Sequence, residues 1–408
     1  MNVIVVGGGA AGMMASCAAA KSGHRVTLIE KNEKLGKKLF ITGKGRCNFT
    51  NACNVTDLFE HVVSNPKFLY SAIYGFDNQA VMDFFVSRGL EYKVERGNRV
   101  FPKSDHSSDV IRALSSYLQE LQVNVKLNTK LLHLITEQDR VTGVVTDRGM
   151  HYADAVILAL GGRSYPSCGA DGDTWRIMEE LNVDTTPATP SLVPLTTADE
   201  DIPLLQGLSL KNVRVKILVD QKQRYEGFGE MLFTHFGLSG PLILGGSCYL
   251  QPEDYTKKPQ VLIDLKPALS EKELDERILR DFSKAQNKQI QNALSDLLPA
   301  KLIPVVIARL QISPRKAVHD ITKEERKRLV LLLKQFTCKV NGNRGFDEAI
   351  ITRGGVKTSA IDPKTMALKA YRGLYVAGEM IDVDAQTGGF NLQIAWSTGH
   401  LAGTCRDL

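Results

Sequence analysis

A chain of 408 residues, 43% hydrophobic and 24% charged with 34 glycines, has the length for about two or three domains and the composition of a globular protein. Disordered, collagen-like and membrane chains are excluded. A net charge of +6, spread along the chain, suits an anionic ligand without marking a dedicated nucleic-acid binder.

The first element is a β-branched run, Val3-Ile4-Val5-Val6, which predicts a strand buried on both faces of a parallel sheet. It runs into Gly7-Gly8-Gly9-Ala10-Ala11-Gly12, an Ala-rich helix to about Ser22, a turn at Gly23, and a second strand, Arg25 to Ile29, closed by Glu30. Strand, G-x-G-x-x-G, helix, strand and acid together make a dinucleotide-binding fingerprint. Gly7 allows the tight turn, Gly9 lets backbone approach a pyrophosphate, and Gly12 lets helix pack on strand. The helix N-terminus offers free N–H groups and a positive dipole end, and Glu30 would accept ribose hydroxyls. This opening lacks a basic leader and is broken by glycines, which fits neither a signal peptide nor a spanning helix.

Lys31, Lys34, Lys37 and Lys38 follow the acid, and Gly36 with Lys37 would lie along the diphosphate. The Gly-rich loop Ile41 to Asn48 then carries Arg46, Cys47 and Asn48, suited to bring backbone donors and a guanidinium to a flavin ring. Cys47 and Cys53 do not match a redox-pair spacing. Seven cysteines without a C-x-x-C pair indicate a reducing compartment and no structural metal site, so the expected location is the cytoplasm.

Val110, Leu114, Leu118 and Leu121 predict a helix starting at Ser107 and Ser108. Strands are expected at 123–127, where Val125 would offer its backbone to adenine, and at 141–145. Asp154 to Gly162 forms another strand running into glycines, bringing Gly161 to the dinucleotide on a second pass. Thr186-Pro187-Ala188-Thr189-Pro190-Ser191 predicts a hinge out of this domain. Alternating Val213, Val215, Ile217 and Val219 predict a half-buried strand. A capping box at Ser270–Glu273 and a second helix start at Thr322–Glu325 mark a helical stretch, 270–334. Its Lys/Arg-rich faces read as solvated rather than RNA-binding.

At the far end, Leu374-Tyr375-Val376-Ala377-Gly378-Glu379 is a buried strand ending in Gly and an acid. Gly388, Gly389, Asn391 and Leu392 then open a helix to about His400, whose N-terminus would face the flavin pyrimidine. A cofactor domain closed only by these late elements must be split by an insertion, the arrangement used for FAD. The middle holds no second G-x-G-x-x-G after a strand, so NADH or NADPH, if used, docks transiently.

The segments GGGAAG, GKKLFITGKGRCNFTN, RVFPKSDHSSDV, THFGLSGP and GLYVAGEMIDVDAQTGGFNLQIAWSTGHLAG resemble the bacterial flavoprotein family of aminoacetone-oxidase-like and dehydro-bile-acid-reductase-like FAD enzymes. The resemblance covers essentially the whole chain. It implies an α/β fold: a glutathione-reductase-type FAD-binding Rossmann domain (1–188 and 355–408), an inserted β-barrel-like domain (189–269 and 335–354) and a small helical insertion (270–334). Carried over by motif position, Ala11, Glu30, Lys37, Arg46, Cys47, Asn48, Gly378, Glu379, Asn391 and Leu392 would touch FAD.

The expected activity is FAD-dependent hydride transfer between flavin N5 and a small organic substrate. The alternatives are an amine oxidase using oxygen and an RNA-associated flavoprotein. His235, a lone imidazole in Thr234-His235-Phe236-Gly237, is the candidate acid or base, and Arg46 the candidate electrostatic helper. Substrate identity, the choice of reductase or oxidase, and oligomeric state are left open by the sequence.

Overall fold

The computed structural model describes residues 1–405, so the last three residues of the expected 355–408 segment lie outside it. It divides into two units, Met1–Ser191 with the chain from Phe346 onward, and Leu192–Gly345. The first unit begins with β1 (Asn2–Val6), α1 (Ala10–Lys21) and β2 (Arg25–Ile29). It continues with α2 (Ser107–Glu120), β3 (Asn124–Lys126) and β4 (Ala155–Leu158). All four β4 residues are buried, as are Val3 to Val6, because a parallel strand covered on both faces has no solvent side. Val110, Leu114 and Leu118 form the buried stripe of α2. An antiparallel meander, Leu131–Glu137, Arg140–Thr146 and Gly149–Tyr152, precedes β4.

Thr185–Ser191 is a strand, β5, and not the predicted hinge. Pro187 is accommodated where the register shifts between Thr186 and Thr189, while Pro190 stands in register opposite Thr352. The second unit then opens with β6 (Leu195–Thr197), β7 (Ser209–Val219), β8 (Lys222–Thr234), β9 (Gly237–Ser239) and β10 (Gln260–Asp264). Helices α3 (Glu271–Ser283), α4 (Leu302–Leu310) and α5 (Lys323–Lys334) follow, and β11 (Phe336–Asn343) closes a six-stranded barrel in the order β6-β9-β8-β7-β10-β11. Val213, Val215, Ile217 and Val219 are buried in the predicted alternation. The predicted capping box of Ser270 with Glu273 forms, and the helix predicted to start at Thr322 opens with a second one, Thr322 with Glu325. Barrel residues Val215, Val261 and Phe336 share one core with Leu274, Ile278 and Leu302 of the helices. Barrel and helices therefore belong to a single unit.

The chain returns through β12 (Ile351–Val356), which pairs antiparallel with β5. That pairing moves the expected boundary at 354/355 back to 345/346. β13 (Leu374–Val376) completes a parallel sheet in the order β13-β4-β1-β2-β3, and α6 (Phe390–Gly403) packs on α1. The two helices approach closely because glycines face alanines: a Cβ on Gly399 or Gly403 would lie 2.4 Å from the carbonyl of Ala11 or Ala15.

Candidate dinucleotide site

The strands β1, β2, β4 and β13 all end at one edge of the sheet, and a predicted motif follows each of them: Gly7, Glu30, Gly161 and Gly378. Gly7 has φ +106°, and a Cβ there would meet the Ala159 carbonyl at 2.3 Å, so only glycine makes this turn. Its N–H donates to the Ile29 carbonyl at 2.8 Å. At Gly12 a Cβ would sit 1.8 Å from the Gly7 carbonyl. Gly9 differs, because a Cβ there meets nothing within 4 Å. It caps α1 with no side-chain bond and no acid in the first turn, which leaves the helix N-terminus free for an anion.

Glu30 is buried, with three donors on its carboxylate: the Gly8 N–H at 2.6 Å, and the Asn32 N–H and Nδ2 at 2.7 and 2.8 Å. Val125 pairs with Leu28 on β3, the outer strand, which leaves its other main-chain side open. Three of the four lysines after Glu30 have carboxylate partners of their own, and Lys34 lies over the Phe40 ring. Lys31 bonds Asp171 at 2.6 Å and Asp173 at 2.9 Å, Lys37 lies 3.3 Å from Glu33, and Lys38 bonds Glu379 at 2.6 Å. Gly36, at φ +67°, donates its N–H to the Gly8 carbonyl at 2.8 Å and so ties this segment to the phosphate loop.

The loop at 42–48 is left-handed at Gly43, Lys44, Gly45 and Cys47. Arg46 is held by Asp105 at 2.7 Å and by Glu95, over the Phe101 ring at 4.2 Å. The hydrogen bonds it donates to Glu95 and Asp105 push its pKa further up, and the two carboxylates offset its charge locally. Cys47 is fully buried, and burial pushes its thiol up to about 12. It is not a poised redox group. The neighbouring Asn48 Oδ1 is buried without a hydrogen-bond partner. A buried unpaired acceptor costs about 1–3 kcal/mol, so this atom is built to receive a donor the chain does not supply.

In the closing fingerprint, Gly378 has φ +75° and donates its N–H to Thr398 Oγ1 at 3.0 Å. Glu379, besides Lys38, accepts the Thr352 N–H at 2.9 Å. Gly389 caps α6 at φ +98°, where a Cβ would strike the Thr50 carbonyl at 2.3 Å. Asn391 clasps the preceding loop, accepting the Ala385 N–H at 3.0 Å and donating to the Ala385 carbonyl at 2.7 Å. Leu392 is partly buried against the core.

The phosphate loop, Glu30, Gly161 and the Gly378–Leu392 segment thus share the first unit and one sheet edge. An elongated dinucleotide fits these features: an open approach at Gly9, an uncapped helix N-terminus, a ribose acid, and an orphan acceptor suited to an imide N–H of flavin. FAD carries both a diphosphate and such an N–H. Two residues were not singled out by sequence pattern: Asn32 bridges Glu30 to the Cys168 carbonyl, and Thr352 Oγ1 accepts the N–H groups of Arg163 and Ser164. Buried Asp384, which the sequence offers for either ribityl or structure, accepts the Ser191 hydroxyl and faces Arg353 at 3.4 Å. His235 belongs to the second unit, exposed at the turn between β8 and β9 with its ring edge on Phe236. A cleft of about 520 Å³ in the first unit is lined by Arg88, Leu90, Lys103 and Arg112 and includes none of the predicted cofactor residues. Among the described residues, no helix is long and apolar enough to cross a membrane, and no cluster of His, Cys, Asp and Glu could hold a metal.

Comparison with known proteins agrees with this geometry. The chain is 30% identical over 408 residues to the 3-dehydro-bile acid delta(4,6)-reductase of Clostridium scindens, covering 99% of this chain and 98% of that one. It is also 30% identical over 400 residues to the ribosomal RNA dihydrouridine synthase of Escherichia coli, covering 97% and 96%. Among solved structures, the fold resembles the 3-ketosteroid delta1-dehydrogenase of Sterolibacterium denitrificans, with a TM-score of 0.52 at 14% identity over 100% of this chain and 99% of that one. The model of the HI0933-like protein Rossmann domain matches residues 1–405, so this chain belongs to the HI0933-like family and is an FAD-dependent oxidoreductase.

Proposed function

We propose that the protein is a reductase that saturates a carbon–carbon double bond conjugated to a carbonyl, with NADH or NADPH as a transiently docked source of electrons. The observation that carries this reading is the full-length similarity to two enzymes whose names both denote saturation of a double bond. Bound FAD supplies hydride transfer at N5. In net terms the carbon β to the carbonyl would gain the hydride and the α carbon a proton, the carbonyl oxygen carrying the charge between the two additions. The two electrons come from the nicotinamide.

The residues of this chain bind and orient. Gly9 and the α1 N-terminus hold the diphosphate, Glu30 the ribose, and Asn48 Oδ1 the imide N–H. The N-terminus of α6 stabilises negative charge on the pyrimidine edge. Arg46, its charge shared with Glu95 and Asp105, positions the Asn48 loop. His235, exposed and without a hydrogen-bond partner among the described residues, is the proposed proton donor. Replacing it with Asn would slow reoxidation of the reduced flavin by a conjugated enone and leave flavin content unchanged.

Anaerobic stopped-flow reduction tests the main reading. NADH or NADPH should bleach the flavin rapidly, and a conjugated enone should restore its colour faster than oxygen does. Rapid reduction by an amine with rapid peroxide release would make the protein an oxidase and overturn the proposal.

A second reading places the double bond in a uracil of RNA. It is favoured by charge: residues 270–334 hold fourteen Lys and Arg against nine Asp and Glu, or five of the chain's six net positive charges. Lys323, Lys327 and Arg328 of α5 are exposed. Salt-dependent filter binding of an rRNA fragment supports this reading, and no binding at low salt ends it.

A further inference from the structure

The segment 161–173 leaves β4 and crosses back to the two residues that follow Glu30. Lys31 Nζ bonds Asp171 at 2.6 Å and Asp173 at 2.9 Å. Asn32 Nδ2 donates both to Glu30 Oε1 at 2.8 Å and to the Cys168 carbonyl at 3.1 Å. The crossing is close: at Gly169, φ +97°, a Cβ would lie 2.6 Å from Asn32 Nδ2. The Asp173 side chain is only 10% exposed, so the ion pair is largely sheltered from water. At the foot of the segment, Gly161 has open space where a Cβ would stand, and its carbonyl accepts the Thr174 hydroxyl at 2.7 Å.

A ribose held by Glu30 would therefore lie within two residues of both anchors of this crossing. Lifting residues 166–173 breaks the Lys31 ion pairs, the 3.7 Å Lys130–Asp171 pair and one Asn32 bond, while Arg163 and Ser164 stay bonded to Thr352 Oγ1 and every strand of the parallel sheet stays intact. We infer that 166–173 is a strap over the adenosine half of FAD, anchored at Arg163 and Ser164 and latched by Lys31 to Asp171 and Asp173, and that opening the latch sets how fast FAD leaves. The inference rests on the reading that Glu30 holds the FAD ribose. It adds a retention element to the binding residues already described.

The test follows the growth of free-flavin fluorescence after FAD-loaded protein is diluted. Asp173→Asn and Lys31→Met should each release FAD at least about fivefold faster, the scale of losing one partly sheltered ion pair. Asp171→Asn, at the more exposed end, should give a smaller increase and covers the case in which a buried substitution fails to fold. Lys357→Met breaks the exposed Lys357–Asp184 pair at 3.1 Å and should leave release unchanged. Melting of the FAD-free protein should be similar in all four variants. Wild-type release rates in the three strap variants would overturn the latch alone. A wild-type protein that takes up no FAD would overturn both the latch and the cofactor reading.

Discussion

Gly378 and Ala11 meet face to face: a Cβ built on Gly378 would lie 2.6 Å from the Ala11 methyl, although 367 positions separate them. The turn after β13 therefore rests directly on the first helical turn after the phosphate loop. Gly378→Ala adds that clash to a φ of +75° and should destabilise the first unit by about 1–3 kcal/mol. Denaturant unfolding would read the loss, with a parallel fall in bound flavin.

The glycines of the first fingerprint separate folding from binding. In Gly12→Ala the new methyl strikes the Gly7 carbonyl, so the FAD-free protein should melt several degrees lower. In Gly9→Ala the methyl enters open space, so melting of the FAD-free protein should be unchanged while FAD affinity falls about tenfold or more. Equal melting losses in both variants would refute the assignment of Gly9 to the diphosphate.

Asn48→Ala removes an acceptor that has no partner within the chain. Its deletion should cost the FAD-free protein nothing and weaken FAD binding by about 1–2 kcal/mol, measured by flavin fluorescence titration. An equal loss of stability without FAD would show that Oδ1 serves the fold and not the ligand.

Thiol labelling should sort the cysteines by burial. Cys47, Cys17 and Cys405 are buried, and burial pushes each thiol up to about 12. Between pH 7 and 10 they should stay unreactive in the native protein, because less than about one part in a hundred is thiolate even at pH 10. Cys53 and Cys168 are half-buried and should label first. Rapid native labelling of Cys47, read by mass spectrometry, would contradict its placement.

What the sequence made legible follows from periodicity and local chemistry. Val3 to Val6, the alternation from Val213 to Val219 and the helix starts at Ser270 and Thr322 declare themselves within a few residues, because strand burial and helix caps are local. The strand at Thr185–Ser191 did not, since Pro187 and Pro190 spell a turn and only pairing with Ile351–Val356 makes them a strand. The same long-range pairing set the unit boundary. At the site, the glycines and Glu30 were visible as spacing. The carboxylate partners of Lys31, Lys38 and Arg46 lie 49 to 341 positions away, and no spacing rule reaches that far.

The sheet order has a consequence for how the protein is made. β4 sits between β1 and β13, so one edge of β4 finds its partner only after residues 374–376 have left the ribosome. The second unit is contiguous and has its whole barrel available by residue 343. During translation, then, the later-starting unit can finish first while the nascent Rossmann sheet waits with an open apolar edge, the kind of surface chaperones guard. FAD meets a complete site only in the finished chain.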